Sequence, residues 1–278
     1  MVGSAGGQGG PAAELTAGVR SAYEAAAAAW AEGPERVYAS LARALLACVG
    51  AADGGAAGGG LAGGRVLDAG AGTGVAGRAA LAAGARSVVC ADAALAMLSR
   101  CGRKLHPVAA DMTALPFRDG SFDLVLAAFS LGHLDQPGSG LREARRVAAR
   151  LAASSFAPGW NHPAKAAVDE VLGSFGYRPP SWYVTFKCDT EPRASDPAGL
   201  RRDVAAAGYT DMRLRTVTVQ VGLERPGQLA AWRLGMAHVA PFVCSLPAAR
   251  QAELRQAAAA AVAGSGPLMV SMLVLTAS

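Results

Sequence analysis

The sequence predicts an α/β fold: a doubly wound, mostly parallel sheet of seven strands under a helical cover. Three observations carry that expectation. From Arg65 onward, short β-rich runs alternate with helical patterns, the mark of right-handed βαβ crossovers and a sheet buried on both faces. Three alternate glycines, Gly70, Gly72 and Gly74, follow the first run. An aspartate then closes or follows each of the first three runs, at Asp68, Asp92 and Asp111.

Residues 1–13 are expected to be a disordered tail. A helix is predicted from Leu15 to about Ala31, because Val19, Tyr23, Ala26, Ala27 and Trp30 recur at steps of three and four. A second, from roughly Pro34 to Val49, carries Val37, Leu41, Leu45 and Val49. Asp53 to Gly64 is nearly all Gly and Ala and reads as a loop, so residues 14–64 form a helical cover ending in that loop. Residues 65–278 form the sheet domain, with insertions at 157–195 and 223–266. Its candidate strands are Arg65–Asp68, Ser87–Ala91, Pro107–Ala110, Phe122–Ala127 and Leu151–Phe156, with helices near 74–83, 94–103 and 137–149. After a Pro-rich, aromatic segment, Ala157–Pro192, the order resumes with a helix at 196–207 and a strand at 212–222. Two helices near 227–239 and 246–263 and a last strand at 267–276 complete it. No internal repeat is visible.

Composition narrows the function classes. Apolar residues make up 52% of the 278 and charged residues 17%, which suits a globular chain with a large core. The 26 basic residues include only three lysines, Lys104, Lys165 and Lys187, and the arginines are scattered. No stripe follows a phosphate backbone, so no nucleic-acid partner is expected. Five cysteines, Cys48, Cys90, Cys101, Cys188 and Cys244, are widely spaced without a C-x-x-C pair, which disfavours a disulfide framework or structural zinc. Residues 1–11 lack the basic start and apolar stretch of a signal peptide. The uncharged C-terminus is broken at Gly264-Ser265-Gly266-Pro267, too early for a membrane span. A cytoplasmic monomer or homodimer with no membrane partner is expected. No metal is expected either, for want of a clustered ligand set.

The stretch Val66-Leu67-Asp68-Ala69-Gly70-Ala71-Gly72-Thr73-Gly74 turns from a buried strand into a helix. A backbone that turns tightly and touches a ligand has no room for Cβ atoms there. Gly72-x-Gly74-x-x-Gly77 also fits the dinucleotide pattern of a nicotinamide dehydrogenase. Asp92 lies 18 residues beyond Gly74, where a carboxylate can accept both ribose hydroxyls. Read singly, each aspartate is a turn or helix-capping residue; read with the glycines, the three share the carboxyl edge, where doubly wound sheets bind ligands.

Asp68-Ala69-Gly70-Ala71-Gly72-Thr73-Gly74, Asp92 with Met97-Leu98, Asp111-Met112-Thr113-Ala114-Leu115-Pro116-Phe117 and Ser121-Phe122-Asp123-Leu124-Val125 stand in order. Together they resemble a class I S-adenosylmethionine-dependent methyltransferase. The similar subfamily is the small-molecule group of the menaquinone and ubiquinone C-methyltransferases, methyltransferase type 11. The resemblance runs from about 65 to 147 and extends weakly to Tyr23 and Trp30. It implies S-adenosyl-L-methionine as cofactor, bound by residues 65–278. It also implies a small-molecule acceptor, a secondary metabolite or quinone-like ring methylated on oxygen or carbon. By position, it implies that Gly70, Gly72 and Gly74 admit the methionine portion and that Asp68 fixes the loop or the amino group. Asp92, with Met97 close by, would hold the ribose, and Asp111 with Met112 the adenine. Phe129 and Ser130 would face the sulfonium, and Tyr23 would cover the cofactor. A dehydrogenase is demoted, because its fingerprint opens the chain and this one follows about 60 residues. A non-methylating rearrangement or cyclisation on the same fold, or a non-catalytic binding protein, are the other readings. The chain departs from the family where Arg146-Val147-Ala148-Ala149-Arg150-Leu151 runs on without the usual Pro-Gly-Gly turn. A shifted helix end, or a one-residue slip of strand five that would invert its faces, is the expected risk.

Methyl transfer is an in-line displacement in which orientation supplies most of the rate. A base is needed only for a hydroxyl or carbon-acid acceptor. His133, past strand four, and His162, past strand five, are the candidates, with pKa values expected near neutrality. Each is equally a helix-start residue. His238 is either core packing or part of a substrate-facing lid, and His106 lies at the wrong edge. Trp160, Phe175, Tyr177, Trp182, Tyr183 and Phe186 gather in the insertion after strand five. They read as an apolar cover over the acceptor, with Trp160, Trp182, Tyr183 and His238 as substrate-binding candidates, or as a satellite core beneath a long loop.

Overall fold

Val66, Leu67, Asp68 and Ala69 are all buried, as a central parallel strand covered on both faces requires. They form β1 (Arg65–Ala69) at the middle of a seven-stranded sheet ordered β3-β2-β1-β4-β5-β7-β6. The computed structural model describes residues 11–52 and 61–278. In chain order the elements are α1 (Pro11–Glu32), α2 (Pro34–Ala52), β1, α3 (Val75–Ala82), β2 (Ser87–Asp92), α4 (Leu95–Leu98), β3 (His106–Ala109) and β4 (Leu124–Ala128). Then follow α5 (Pro137–Val147), β5 (Leu151–Phe156), α6 (Pro163–Ser174), α7 (Ser181–Thr185), α8 (Glu191–Ser195) and α9 (Pro197–Ala206). The chain continues through β6 (Met212–Gln220), α10 (Pro226–Leu234), α11 (Ala240–Ser245) and α12 (Ala248–Ala261) to β7 (Met269–Ala277). β1 to β5 pair in parallel, and β7 runs antiparallel between β5 and β6.

The two sheet faces bury two cores, because alternate strand residues point opposite ways. On one face Val66, Val88, Leu126 and Val274 pack against Leu41 and Leu45 of α2, Leu172 of α6 and Leu254 of α12. On the other, Leu67, Val125, Ala153 and Leu275 meet Leu141 and Val147 of α5 and Val204 of α9. The helix Pro34–Val49 read from sequence is thus a core helix, its apolar stripe wholly buried.

Several boundaries differ from the sequence reading, each for a local reason. α1 already begins at Pro11, whose missing N–H costs nothing at a helix start, so residues 11–13 are helical and not tail. Residues 1–10, and 53–60 of the Gly/Ala loop, lie outside the described residues. The helix expected over 94–103 is only one turn, Leu95–Leu98, after which single turn bonds lead to Gly102. Between 227 and 263 there are three helices, not two: α10 stops at Gly235, and the chain re-enters as α11. α5 ends at Val147 with Ala148 extended, so the absent Pro-Gly-Gly turn is replaced by a short extended link. That link bridges to Phe122, and β5 pairs Val125 with Leu151 in continuous register.

α1 and α2 form a hairpin whose corner presses on α10. A Cβ added at Gly33 would lie 2.2 Å from the Ala231 carbonyl oxygen, and one at Gly235 would lie 2.5 Å from Pro34 Cδ. This double approach seats the hairpin's corner against α10. Gly33→Ala should therefore lower unfolding stability by about 2 kcal/mol, the scale of forced overpacking. Urea denaturation checks this, and a change below about 0.5 kcal/mol would refute the contact.

Candidate active site

The strand order reverses between β1 and β4, and the crevice beyond their carboxyl ends is where open α/β sheets place ligands. Here β1 runs into the turn Gly70–Gly74 before α3. Gly70 has φ 72°, and a Cβ on it would sit 2.3 Å from Ser130 Cβ. Ser130 itself is buried and donates to the Ala69 carbonyl at 2.8 Å. Gly70 therefore serves the closure of the β1 and β4 loops. Gly72, with φ 55°, has only Met97 Cε at 3.3 Å in its Cβ position, and its backbone lines the crevice. Phe129, after β4, holds φ 58°, a strained conformation for a residue with a Cβ.

Each aspartate has a distinct environment. Asp68 is buried; Oδ2 accepts from Gly77 N–H at 2.7 Å, while Oδ1 has no partner. Burial pushes its carboxyl up to about 7, against the lowering effect of the Gly77 bond. Asp92 Oδ2 accepts from Gly72 N–H at 2.7 Å and Oδ1 from Ala94 N–H at 2.8 Å, so one carboxylate ties the glycine turn to the entry of α4. Burial raises its pKa. Asp111 is exposed, and its Oδ1 accepts from both Thr113 N–H and Thr113 Oγ1–H at 2.7 Å. Asp68, Asp92 and Asp111 nevertheless line one hollow of about 180 Å³, together with Gly70, Gly72, Met97, Met112, Phe129, Ser130, Tyr23 and His133. Gly74, at φ 79°, ends the turn as the cap of α3.

α1 roofs this chamber through Thr16, Val19, Arg20 and Tyr23. Glu24 fastens it: Oε1 accepts from Leu95 N–H at 2.5 Å and Oε2 from Ala96 N–H at 2.7 Å, filling the N-terminal positions of α4. A second hollow of about 570 Å³ adjoins the first. Tyr23, Tyr38, Phe129 and His133 line both. At this border Tyr23 Oη and His133 Nε2 share a 3.0 Å hydrogen bond. Whichever atom donates, His133 Nδ1 stays buried without a partner. The His133 ring stacks on Phe186 at 4.7 Å. Burial pulls its pKa down to about 4, not near neutrality, so the imidazole is neutral at pH 7.

Trp160, Trp182, Tyr183 and His238 all line the second chamber. Tyr183 and His238 stack with ring centroids 3.5 Å apart, and Phe156 and Trp160 with centroids 4.7 Å apart. The His238 pKa is depressed to about 2, first by burial and then by nearby cations, and its Nε2 is unpartnered. His162 is elsewhere. It caps α6, with Nδ1 accepting from Ala164 N–H at 3.3 Å and Nε2 3.3 Å from the Pro267 carbonyl, and it lines neither chamber. The helix-start alternative is the one its geometry fits. Five of the six unpartnered buried side-chain polar atoms among the described residues belong to residues lining these two chambers: Asp68, Thr73, His133, Ser154 and His238.

Several residues that build the site carry no motif. Tyr38 lies beside the core stripe of α2, and burial raises its hydroxyl pKa. Glu24 acts through a contact 71 residues away in sequence. Lys165 was findable only as one of three lysines, placed three residues after His162.

Residues 67–151 match the family model described as a methyltransferase domain. The chain carries a methyltransferase domain. The demethylmenaquinone methyltransferase of Mycolicibacterium vanbaalenii is 33% identical over 126 residues, 42% of this chain and 55% of that protein. The one from Mycobacterium sp. strain KMS is 36% identical over 126 residues, 42% of this chain and 54% of its own. The chain thus spans about half the length of the curated relatives it matches. Among solved structures, a protein described as an antibiotic-pathway methyltransferase from Anabaena variabilis superposes with a TM-score of 0.51 at 13% identity, covering 77% of this chain and 91% of that one. A protein described as a methyltransferase, in complex with the Trm112 activator of Haloferax volcanii, gives 0.51 at 17% identity, covering 93% and 96%. These are likenesses of fold. The matched residues hold most of β1, the glycine turn, β2 to β4 and Phe129; Tyr23, Tyr38, Phe156, Trp160, Trp182, Tyr183 and Phe186 lie outside them.

Glu24→Ala should release α1 from α4, costing about 1–2 kcal/mol for two lost charge-assisted bonds. Amide exchange should quicken in α1 and around residues 94–98 and stay unchanged in β1 and β4. Uniform quickening would show that the clamp is not local.

Proposed function

We propose that the protein transfers a methyl group from S-adenosyl-L-methionine to an oxygen or carbon of a small molecule, such as a secondary metabolite or quinone-like ring. The observation that carries this reading is the pair of chambers joined at Tyr23, Tyr38, Phe129 and His133, each lined by buried polar atoms with no protein partner. Unmet buried hydrogen bonds cost about 1–3 kcal/mol each, so their gathering around two hollows marks places where ligands complete them. The matched methyltransferase domain contains the first chamber's floor.

The residues present fit the cofactor. Asp68 Oδ1 and Thr73 Oγ1 are unpartnered at the glycine turn, and a Cβ at Gly72 would fill part of the cradle. In this reading Asp68 takes the amino group, Asp92 the ribose hydroxyls, Asp111 and Met112 the adenine, with Met97, Phe129, Ser130 and Tyr23 around them. When bound, the cofactor supplies an electrophilic methyl on a sulfonium. The chain's own part is orientation. Trp160, Trp182, Tyr183 and His238 hold a flat acceptor, and the neutral His133 and the Tyr23 hydroxyl offer hydrogen bonds where the chambers meet. With a pKa near 4, His133 is a weak proton acceptor at neutral pH, so its role is to position more than to deprotonate.

Calorimetry with S-adenosylmethionine, followed by transfer of its labelled methyl into a small molecule from an extract of the source cells, tests the reading. Absence of cofactor binding would overturn it. The pH dependence has a definite sign. Asp68 is protonated below about pH 7, and a bound ammonium favours the carboxylate, so affinity should rise as pH increases from 6 to 8. Below pH 7 the slope should approach tenfold per unit, and Asp68→Asn should abolish it. Trp182→Ala should raise the acceptor KM several-fold and leave cofactor affinity intact; equal losses in both would contradict the two-chamber division.

A further inference from the structure

The second chamber contains a cation that the protein does not neutralise. Three basic side chains line it: Lys165, Lys187 and Arg233. Arg233 is buried and forms a two-pronged pair with Asp169, at 2.9 Å from Nε and 2.8 Å from Nη2. Lys187 is ion-paired with Glu191. Asp196, at the chamber's edge, spends both carboxylate oxygens on the Ala198 and Gly199 amides at the start of α9. Lys165 is left with the Trp160 ring, its ammonium 4.9 Å from the centroid, and with no carboxylate in ion-pair reach among the described residues. Glu191 and Asp169 attract it only from a distance.

We propose that the acceptor is an aromatic or otherwise flat carboxylic acid, and that Lys165 holds its carboxylate in the second chamber. The flat body is indicated by the walls. Three stacked ring pairs, Tyr183 on His238, Phe156 on Trp160 and His133 on Phe186, all border this space. The anionic group is indicated by the charge left over. Burial, reinforced by Lys187 and Arg233, brings the Lys165 pKa down to about 8, the expected cost of a partly desolvated ammonium without a counter-ion. A carboxylate entering the chamber removes that cost and gains a charge-assisted hydrogen bond. Ser154 Oγ and His238 Nε2, unpartnered on the same lining, are further groups for the acid to engage. Lys165 thus decides which acceptors enter and is not a catalytic residue. The inference rests on the methyl-transfer reading for the word acceptor, but the anion site is tested without turnover.

The probes are cinnamate and cinnamamide, which share a flat body and differ in charge, titrated into the full chain by calorimetry with and without S-adenosylmethionine. Cinnamate should bind at least tenfold more tightly than cinnamamide. Lys165→Met should erase that preference, Lys165→Arg should keep it, and both variants should bind S-adenosylmethionine as the unmodified chain does. Equal binding of acid and amide overturns the proposal on the unmodified protein alone, whatever the variants do. So does a preference that survives Lys165→Met, or no binding of the acid by protein that binds S-adenosylmethionine. A chain that prefers the acid but binds no S-adenosylmethionine supports the anion site and sinks the methyl-transfer reading.

Discussion

The hydrogen bond from Ser130 to the Ala69 carbonyl, 2.8 Å long and buried, is the constraint around which the site is assembled. It binds the loop after β4 to the end of β1 at the place where the strand order reverses. That closeness leaves space for only a hydrogen on Gly70. With the turn held there, Gly72 is left to face the hollow, and Asp92 reaches across to its amide. The same carboxylate holds Ala94, whose neighbours Leu95 and Ala96 receive Glu24 from α1. Floor, side and roof of the first chamber form one connected series of bonds.

The aromatic residues do a different task. Among the described residues, those at the chamber border come from the α1–α2 hairpin and from the end of β4, about 90 residues later in the chain. Trp30, Tyr38, Phe129 and Phe156 touch in series, with centroids 4.8–5.2 Å apart. A wall of this kind gives flat, apolar contact with little side-chain entropy to lose. Burial keeps the imidazoles of His133 and His238 uncharged, so the permanent charges of the second chamber are those of lysine, arginine and their carboxylate partners.

The sheet and first chamber were legible in the sequence because their signals are local. A strand, an alternate-glycine turn and an aspartate lie within ten residues, and backbone geometry allows few other residue types there. Helix ends were less legible. The start of the short helix after Ala94 is held by the Glu24 carboxylate of α1, a tertiary partner that no local pattern encodes. His133 and His162 look alike in sequence, each near the start of a helix after a strand. Only the packing separates them, one at a chamber border beside Tyr23 and the other capping α6 against Pro267. Lys165 was missed for a related reason: an isolated lysine on a helix reads as solvated until the fold shows its carboxylate neighbours committed elsewhere.

α1 roofs one hollow and, through Tyr23, borders the next. Under the methyl-transfer proposal, the donor and acceptor spaces would share Tyr23 as a common wall, so a displacement of α1 would loosen the donor's cover and alter the passage to the acceptor together.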